Sequence, residues 1–315
     1  MLSILAITVP IYLMIGIGFL AGRLGMFSAA DMRVLGRFVL NFALPALVFR
    51  ALAQRPVAEI LNGPFIAAYG GGSLLVLLGA FALARFVRGK PMPDSALIGM
   101  GAAFSNSGFV GYPIVLQWLG PPAAVALALC MLVENIVLLP LTLALAESGG
   151  GAHAWHVALA QSLRRLAVNP LILAIVAGFA VAIAGVTMPE PVMQTIGLLA
   201  TASTAVALFV IGGSLVGLKV GGMLGDVALI AIGKLVVHPL AVLALLLVLP
   251  PVDPVLRAAG VAYASMPMLS IYPILAQKYG REGFCAAALL VTTLLSFATI
   301  SAILWMLSAV PAWGR

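Results

Sequence analysis

Runs of about 20 apolar residues, separated by short polar or Pro/Gly-rich segments, recur along the whole chain. A helix needs about this many apolar residues to cross the hydrocarbon core of a bilayer. The ten runs that meet the requirement are 2–22, 34–53, 64–87, 94–118, 121–146, 166–186, 191–217, 225–249, 254–278 and 283–309. The chain is therefore predicted to be an all-α polytopic membrane protein with ten transmembrane helices.

The composition excludes a soluble domain. Hydrophobic residues make up 63% of the 315 residues and charged residues only 8%, whereas a soluble protein carries about 25% charged residues. The net charge of +7 is spread over short loops, so it bears on membrane orientation and predicts no nucleic-acid partner. No metal-ligand spacing occurs, and we expect no metal and no cofactor apart from a coupling proton or sodium ion, which stays open.

Lysine and arginine are distributed unequally between the two sides of the predicted spans. Of the 16 such residues, eleven lie in loops that follow odd-numbered spans and four lie on the opposite side. Because basic loops stay in the cytoplasm, both termini are predicted to face the outer, periplasmic side of a bacterial inner membrane. The stretch 147–165 is amphipathic and is predicted to lie along the cytoplasmic interface.

Two halves of the chain repeat each other at a fixed offset. GYPIVLQWLG (111–120) matches IYPILAQKYG (271–280), and the same offset of 160 residues pairs Gly18 with Gly178 and Phe49 with Phe209. Residues 1–146 and 166–315 are therefore predicted to be two copies of a five-helix unit. Since five is odd, the second copy enters the membrane from the opposite side, as in many secondary transporters.

Prolines interrupt the fourth and ninth spans at equivalent places. Pro113 follows Gly108 and Gly111 in span 4, while Pro267 and Pro273 lie in span 9. A proline lacks the N–H of a helical residue and its ring clashes with the preceding turn. Backbone groups freed in this way are tolerated in a membrane only against protein or a water-filled cavity. Helices 4 and 9 are therefore predicted to be broken and to cross at one central site, where helix N-termini favour an anion.

The candidate residues follow from this interpretation. The predicted substrate-binding residues are Asn106, Ser107, Gly108, Gly111, Pro113, Pro267, Ser270, Tyr272, Pro273, Asn41, Thr204 and Asn135. Ionisable residues inside spans are expensive, which makes Glu134 and Lys234 candidates for binding a coupling ion or proton. Two plainer interpretations stay open: Glu134 as a neutral buried acid, and Lys234 as an anchor that reaches the membrane interface.

Several segments of the chain resemble the auxin efflux carrier family, which includes the plant PIN-FORMED carriers and bacterial malate and malonate permeases. The segments are NSGFVGYPI (106–114), VNPLILAIVAGF (168–179), LFVIGGSL (208–215), KLVVHPLAVLAL (234–245) and MPMLSIYPILAQKYG (266–280). Asn106, Gly111 and Pro113 match the family pattern in span 4. In span 9 the proline is Pro273, one residue after the position that the plant pattern gives to it.

The resemblance implies a scaffold domain and a transport domain, an elevator-type motion and a homodimer. We therefore predict a secondary transporter of a small mono- or dicarboxylate, held where helices 4 and 9 cross. A sodium- or proton-coupled symporter or antiporter on a similar fold, with Glu134 or Lys234 as the exchanging group, is the alternative. A membrane enzyme would need a nucleophile or a metal cluster, and the three histidines provide neither.

Overall fold

The computed structural model describes residues 2–55, 62–148, 157, 160–161, 164, 167–218 and 224–309. These residues form helices joined by short connections. The helices are α1 (Leu2–Arg23), α2 (Ala29–Ala53), α3 (Gly63–Val87), α4 (Met92–Ala103), α5 (Tyr112–Leu119), α6 (Pro122–Glu147), α7 (Pro170–Ala184), α8 (Glu190–Ser214), α9 (Leu224–Val248), α10 (Pro254–Ala264), α11 (Tyr272–Ala276) and α12 (Glu282–Ser308). Most of the predicted amphipathic connection, 147–165, lies outside the described residues.

Seven of the described helices are long and apolar enough to cross a membrane: α1, α2, α3, α6, α8, α9 and α12. This confirms an all-helical polytopic membrane protein. The other three predicted spans are not single long helices. Span 6 contains α7, which has 15 residues, and spans 4 and 9 are each divided into two shorter helices. The count of ten spans stays a prediction.

The chain divides into two compact units. Unit 1 comprises Met1–Gly63, Gly108–Leu129 and Ala167–Val216, and unit 2 comprises Pro64–Ser107, Cys130–Leu166 and Gly217–Arg315. Each unit takes segments from both halves of the chain, so the units do not follow the predicted repeat boundaries at 146 and 166. The division into repeats therefore stays a prediction.

Close backbone contacts hold unit 1 together, and they occur in reciprocal pairs. A Cβ at Gly18 of α1 would lie 2.1 Å from the carbonyl oxygen of Phe209 on α8. A Cβ at Gly178 of α7 would lie 3.1 Å from the carbonyl oxygen of Phe49 on α2. The 160-residue offset pairs Gly18 with Gly178 and Phe49 with Phe209, so each copy contributes the glycine to one contact and the phenylalanine to the other. A two-fold relation between duplicated halves requires this arrangement.

Prolines shape three of the long helices. Pro45 in α2, Pro140 in α6 and Pro239 in α9 each follow a turn of π-helix, at Val39–Ala43, Val133–Leu138 and Gly233–Val237 respectively. A π-helical turn inserts one extra residue, which displaces the carbonyl that the proline ring would otherwise meet. Such turns are frequent at functional sites. Here two of them carry the intramembrane candidates Glu134 and Lys234.

We expect Gly212→Ala to destabilise the protein, because a Cβ at Gly212 would lie 1.8 Å from the carbonyl oxygen of Ile15. Overpacking of this kind costs about 1–3 kcal/mol. Gly16→Ala is the matched control. Gly16 lies on α1, the helix that carries Ile15, and its Cβ would meet nothing within 4 Å. Melting temperatures of the detergent-solubilised variants test the contact. Equal melting of the two variants would contradict it.

Candidate functional site

The two interrupted segments of unit 2 pair with each other through their backbones. Residues 104–106 follow α4 and residues 265–271 follow α10 without forming helix. The N–H of Asn106 donates to the carbonyl oxygen of Pro267 at 2.8 Å, and Asn106 is almost fully buried. The bond satisfies one donor that the break in α4 sets free, as burial in a membrane protein requires.

The prolines lie slightly away from the breaks. Pro113 is the second residue of α5 and directly follows the π-helical turn Ser107–Gly111, which makes room for its ring. Pro273 is the second residue of α11, where the missing N–H would have no helical partner anyway. The break in span 4 therefore falls at 104–106, before Gly108, and not at Pro113 as the sequence suggested. In span 9 Pro267 lies within the non-helical segment itself.

Lys234 is fully buried in unit 2, and its ammonium group has three acceptors. Nζ donates to Ser105 Oγ at 2.8 Å and to the carbonyl oxygen of Ala264 at 2.8 Å, and it lies 2.6 Å from Nδ1 of His238. A lysine ammonium has three protons to donate, so its charge is completely solvated by protein. The interpretation of Lys234 as an interface anchor is wrong, because its side chain has no solvent exposure.

His238 extends this chain of hydrogen bonds toward α3. Its Nε2 lies 2.8 Å from Ser73 Oγ. Because Lys234 donates to Nδ1, the neutral ring carries its proton on Nε2 and donates to the Ser73 hydroxyl. Both residues are fully buried. The arrangement fixes the ring orientation and directs Nδ1 at the ammonium.

Glu134 lies in the π-helical turn of α6 and receives two hydroxyl donors. The Tyr69 hydroxyl donates to Oε1 at 2.8 Å and the Ser107 hydroxyl at 2.9 Å. Glu134 is 3% exposed and Tyr69 is fully buried. The Tyr69 ring stacks against Phe65 at 6.1 Å between centroids, which restrains the hydroxyl that donates to Glu134.

Opposite charges therefore flank one short non-helical segment. Ser105 accepts from Lys234, and Ser107, two residues further on, donates to Glu134. A buried cation and a buried anion that each have hydrogen-bond partners compensate each other, whereas either alone would be costly. Among the described residues no group of three or more His, Cys, Asp or Glu side chains could hold a metal ion.

The other candidates of unit 2 surround the same breaks or support them. Tyr272 is buried and its hydroxyl donates to the carbonyl oxygen of Leu97 at 2.7 Å, which ties the start of α11 to α4. The Asn135 amide donates to the carbonyl oxygen of Met131 at 2.8 Å within α6. Ser270 and Pro273 are half-buried. The structure thus brings Asn106 and Pro267 together, and Ser107 with Glu134, but turns the Asn135 amide to its own helix.

The remaining candidates belong to unit 1. Gly108 and Gly111 lie in the π-helical turn Ser107–Gly111 that precedes α5, and Thr204 lines a cavity beside α2 and α8. Asn41 is exposed on α2 and is not among the residues that line this cavity. Substrate binding by these residues stays a prediction.

The hydrogen-bonded side chains around the two buried charges form one charged network, which comprises Tyr69, Ser73, Ser105, Ser107, Glu134, Lys234 and His238. Sequence reasoning missed four of these residues as site candidates. Ser73 and Tyr69 are single polar residues in an apolar span, which gives no indication of their partners. His238 follows Lys234 by four residues, a helical spacing that could have indicated their contact. Ser105 adjoins the predicted site residue Asn106 and could have been included. The pairing of Ser105 with Lys234 joins residues 129 positions apart, which no local pattern encodes.

Known proteins match the chain along almost its whole length. The family described as "Membrane transport protein" matches residues 3–306. The chain belongs to this family. The resemblance to auxin efflux carriers is thereby confirmed, and proteins of this kind are membrane transporters, not enzymes.

Two relatives of this transporter are bacterial proteins. A protein of Rhizobium meliloti (strain 1021) named "Putative malonate transporter" is 31% identical over 316 residues, which cover 99% of each chain. The "Uncharacterized transporter YfdV" of Escherichia coli (strain K12) is 26% identical over 240 residues, which cover 74% of this chain and 75% of the relative.

We expect Lys234→Met to destabilise the transporter strongly, by about 3–5 kcal/mol, because it leaves Glu134 as an uncompensated buried charge. The double variant Lys234→Met/Glu134→Gln should recover part of this loss. Lys278→Met is the control, since the Lys278–Glu147 ion pair is largely exposed on the lysine side and such pairs contribute about 0–1 kcal/mol. Melting temperatures in detergent of the wild type, the two single variants and the double variant form a double-mutant cycle. Additive effects of Lys234→Met and Glu134→Gln would contradict the compensation of the two charges.

Proposed function

We propose that the protein is a secondary active transporter that carries a small mono- or dicarboxylate, malonate or a similar anion, across a bacterial inner membrane. The family and the malonate transporter relative support a small organic anion as substrate. The observation that carries the proposal is the pair of interrupted helices in unit 2, joined by the Asn106–Pro267 bond and flanked by buried Lys234 and Glu134. Interrupted helices near the bilayer midplane are where secondary transporters bind substrate.

The substrate lies, on this proposal, at the interrupted segments around Asn106 and Ser107. Polar backbone that has left the helix offers hydrogen bonds to a carboxylate, and the Ser107 hydroxyl can turn from Glu134 to the substrate. The buried charges make the site responsive to a proton. When Glu134 is protonated, the Lys234 charge is no longer compensated, which favours an incoming anion. Proton and carboxylate would then bind together and move together.

The division of the chain into two units supports an elevator-type mechanism. Unit 2 contains the interrupted segments and the charged network, and unit 1 contains the reciprocal glycine contacts of α1, α2, α7 and α8. We assign unit 2 as the transport domain and unit 1 as the scaffold. Ten spans in two inverted repeats, both termini on the periplasmic side and a homodimeric assembly belong to the same proposal.

A sodium- or proton-coupled exchanger on a similar fold is the second candidate. The buried Glu134 carboxylate, which binds two hydroxyl donors, favours it, since an intramembrane acid is what a cation or proton exchanger needs. The two candidates differ in whether an organic anion binds at all.

Purified protein in proteoliposomes should take up malonate in counterflow, and Asn106→Ala should reduce the rate by about tenfold or more, as expected when a site group is misplaced. Asn169→Ala is the matched control. Asn169 caps α7 by accepting from the N–H of Leu171 at 2.9 Å, so its loss affects helix stability and not the site. Failure of wild-type protein to take up any mono- or dicarboxylate would overturn the proposal.

Replacement of Glu134 separates the two candidates. Glu134→Gln fixes the uncharged state, so malonate should still bind and exchange, but an imposed pH gradient should no longer accelerate net uptake. The measurement is uptake with and without the gradient, compared with wild type. If the protein were a cation exchanger, Glu134→Gln would abolish cation exchange and malonate would have no effect on wild type.

A further inference from the structure

Unit 1 contains a cavity of about 800 Å³ that no step proposed above uses. Arg50 and Gln54 reach it from the end of α2, Tyr112 from α5, and Thr204 from α8. Its size falls within the range of small-molecule sites. A neighbouring hollow of about 500 Å³ shares Arg50 and Gln54 with it, so the Arg50 side chain borders both spaces.

A glycine of α8 makes room for the Arg50 guanidinium. A Cβ at Gly197 would lie 3.1 Å from Nη1 of Arg50, so any larger residue there would push against the guanidinium. The hydroxyl of Thr201, one turn further along α8, donates to the Gly197 carbonyl oxygen at 2.9 Å. The guanidinium therefore lies against Gly197, where α8 has no side chain, beside the cavity.

Within the described part of the chain, Arg50 makes no ion pair and no hydrogen bond. The acid that lines the neighbouring hollow, Glu190, accepts from the Gln194 amide at 3.1 Å. A guanidinium presents a planar fork of donors that fits a carboxylate in bidentate geometry. An arginine whose donors face a cavity instead of an acid is arranged to receive an anion.

We propose that this cavity is a second anion-binding site for the same small carboxylate, with Arg50 as its anchor and the Tyr112 and Thr204 hydroxyls as further donors. The site rests on the proposed function for its ligand, but it shares no residue with the charged network of unit 2. A dicarboxylate such as malonate can place one carboxylate on Arg50 and leave the other for the hydroxyls.

Protection of a cysteine reporter tests the site directly. Thr201 lines the cavity and is exposed, and its hydroxyl is engaged within α8, so Thr201→Cys removes no proposed ligand. The native Cys130 and Cys285 are buried, and protein without the reporter gives their background labelling. Purified Thr201→Cys protein in detergent is labelled with a maleimide in malonate or in chloride of equal ionic strength. Saturating malonate should slow labelling by about fivefold or more.

The same labelling measurement in three further variants of the Thr201→Cys protein identifies which residues bind the protecting malonate. Arg50→Gln should weaken the apparent malonate affinity by about tenfold or more, because one charged bidentate contact is lost. Arg23→Gln, which removes an exposed charge of unit 1, should leave it unchanged. Asn106→Ala should also leave it unchanged, because Asn106 is not among the residues that line the cavity.

The outcomes separate this site from the proposed function. Absence of protection, equal protection in the Arg50→Gln background, or loss of protection with Asn106→Ala would each overturn the second site. If the same protein takes up malonate in proteoliposomes but malonate does not slow its labelling, the second site is removed and the proposed function stays intact. Protection without uptake of any carboxylate would support the site and remove the transport proposal.

Discussion

A lysine ammonium without solvent exposure has to find every hydrogen-bond acceptor within the protein, and much of unit 2 is arranged to meet this demand. A continuous α-helix offers few acceptors, because its carbonyls are already paired. Ala264 is the last residue of α10, and its carbonyl oxygen is free to accept from Lys234 because the helix ends there. Ser105 lies in the break after α4. The interruptions thus supply the solvation that the buried charge requires, and the negative end of the α10 dipole adds to it.

The same reasoning explains why two prolines and two ionisable residues share their helices. Pro140 and Pro239 impose π-helical turns on α6 and α9, and Glu134 and Lys234 lie within those turns. An extra residue in a turn alters which side chains face the interior and leaves backbone carbonyls less firmly paired. A feature that would weaken an ordinary helix here directs an acid and a base toward the break between α4 and α5.

Sequence patterns predict the elements of this protein better than they predict its side-chain contacts. Apolar length identifies the long helices, and repeated prolines identify the two interrupted segments, because both signals are local. The break in span 4 precedes Pro113 by several residues, because the π-helical turn Ser107–Gly111 accommodates this proline without ending the helix. Lys234 looks like an interface anchor by its position in the chain. Its burial follows from Ser105 and Ala264, which belong to distant segments and cannot be inferred from the lysine's neighbours.

The two units use the predicted duplication differently. In unit 1 the paired positions take equivalent places, since Gly18 meets Phe209 as Gly178 meets Phe49. In unit 2 the charges have no counterparts: the 160-residue offset relates Lys234 to Leu74 and Glu134 to Leu294. Symmetry suits the packing between helices, because the same close contact of a glycine with a phenylalanine backbone then forms twice. It does not suit a buried ion pair, because a second copy would double the desolvation cost. Helix packing in unit 1 thus keeps the repeat, and the chemistry of unit 2 departs from it.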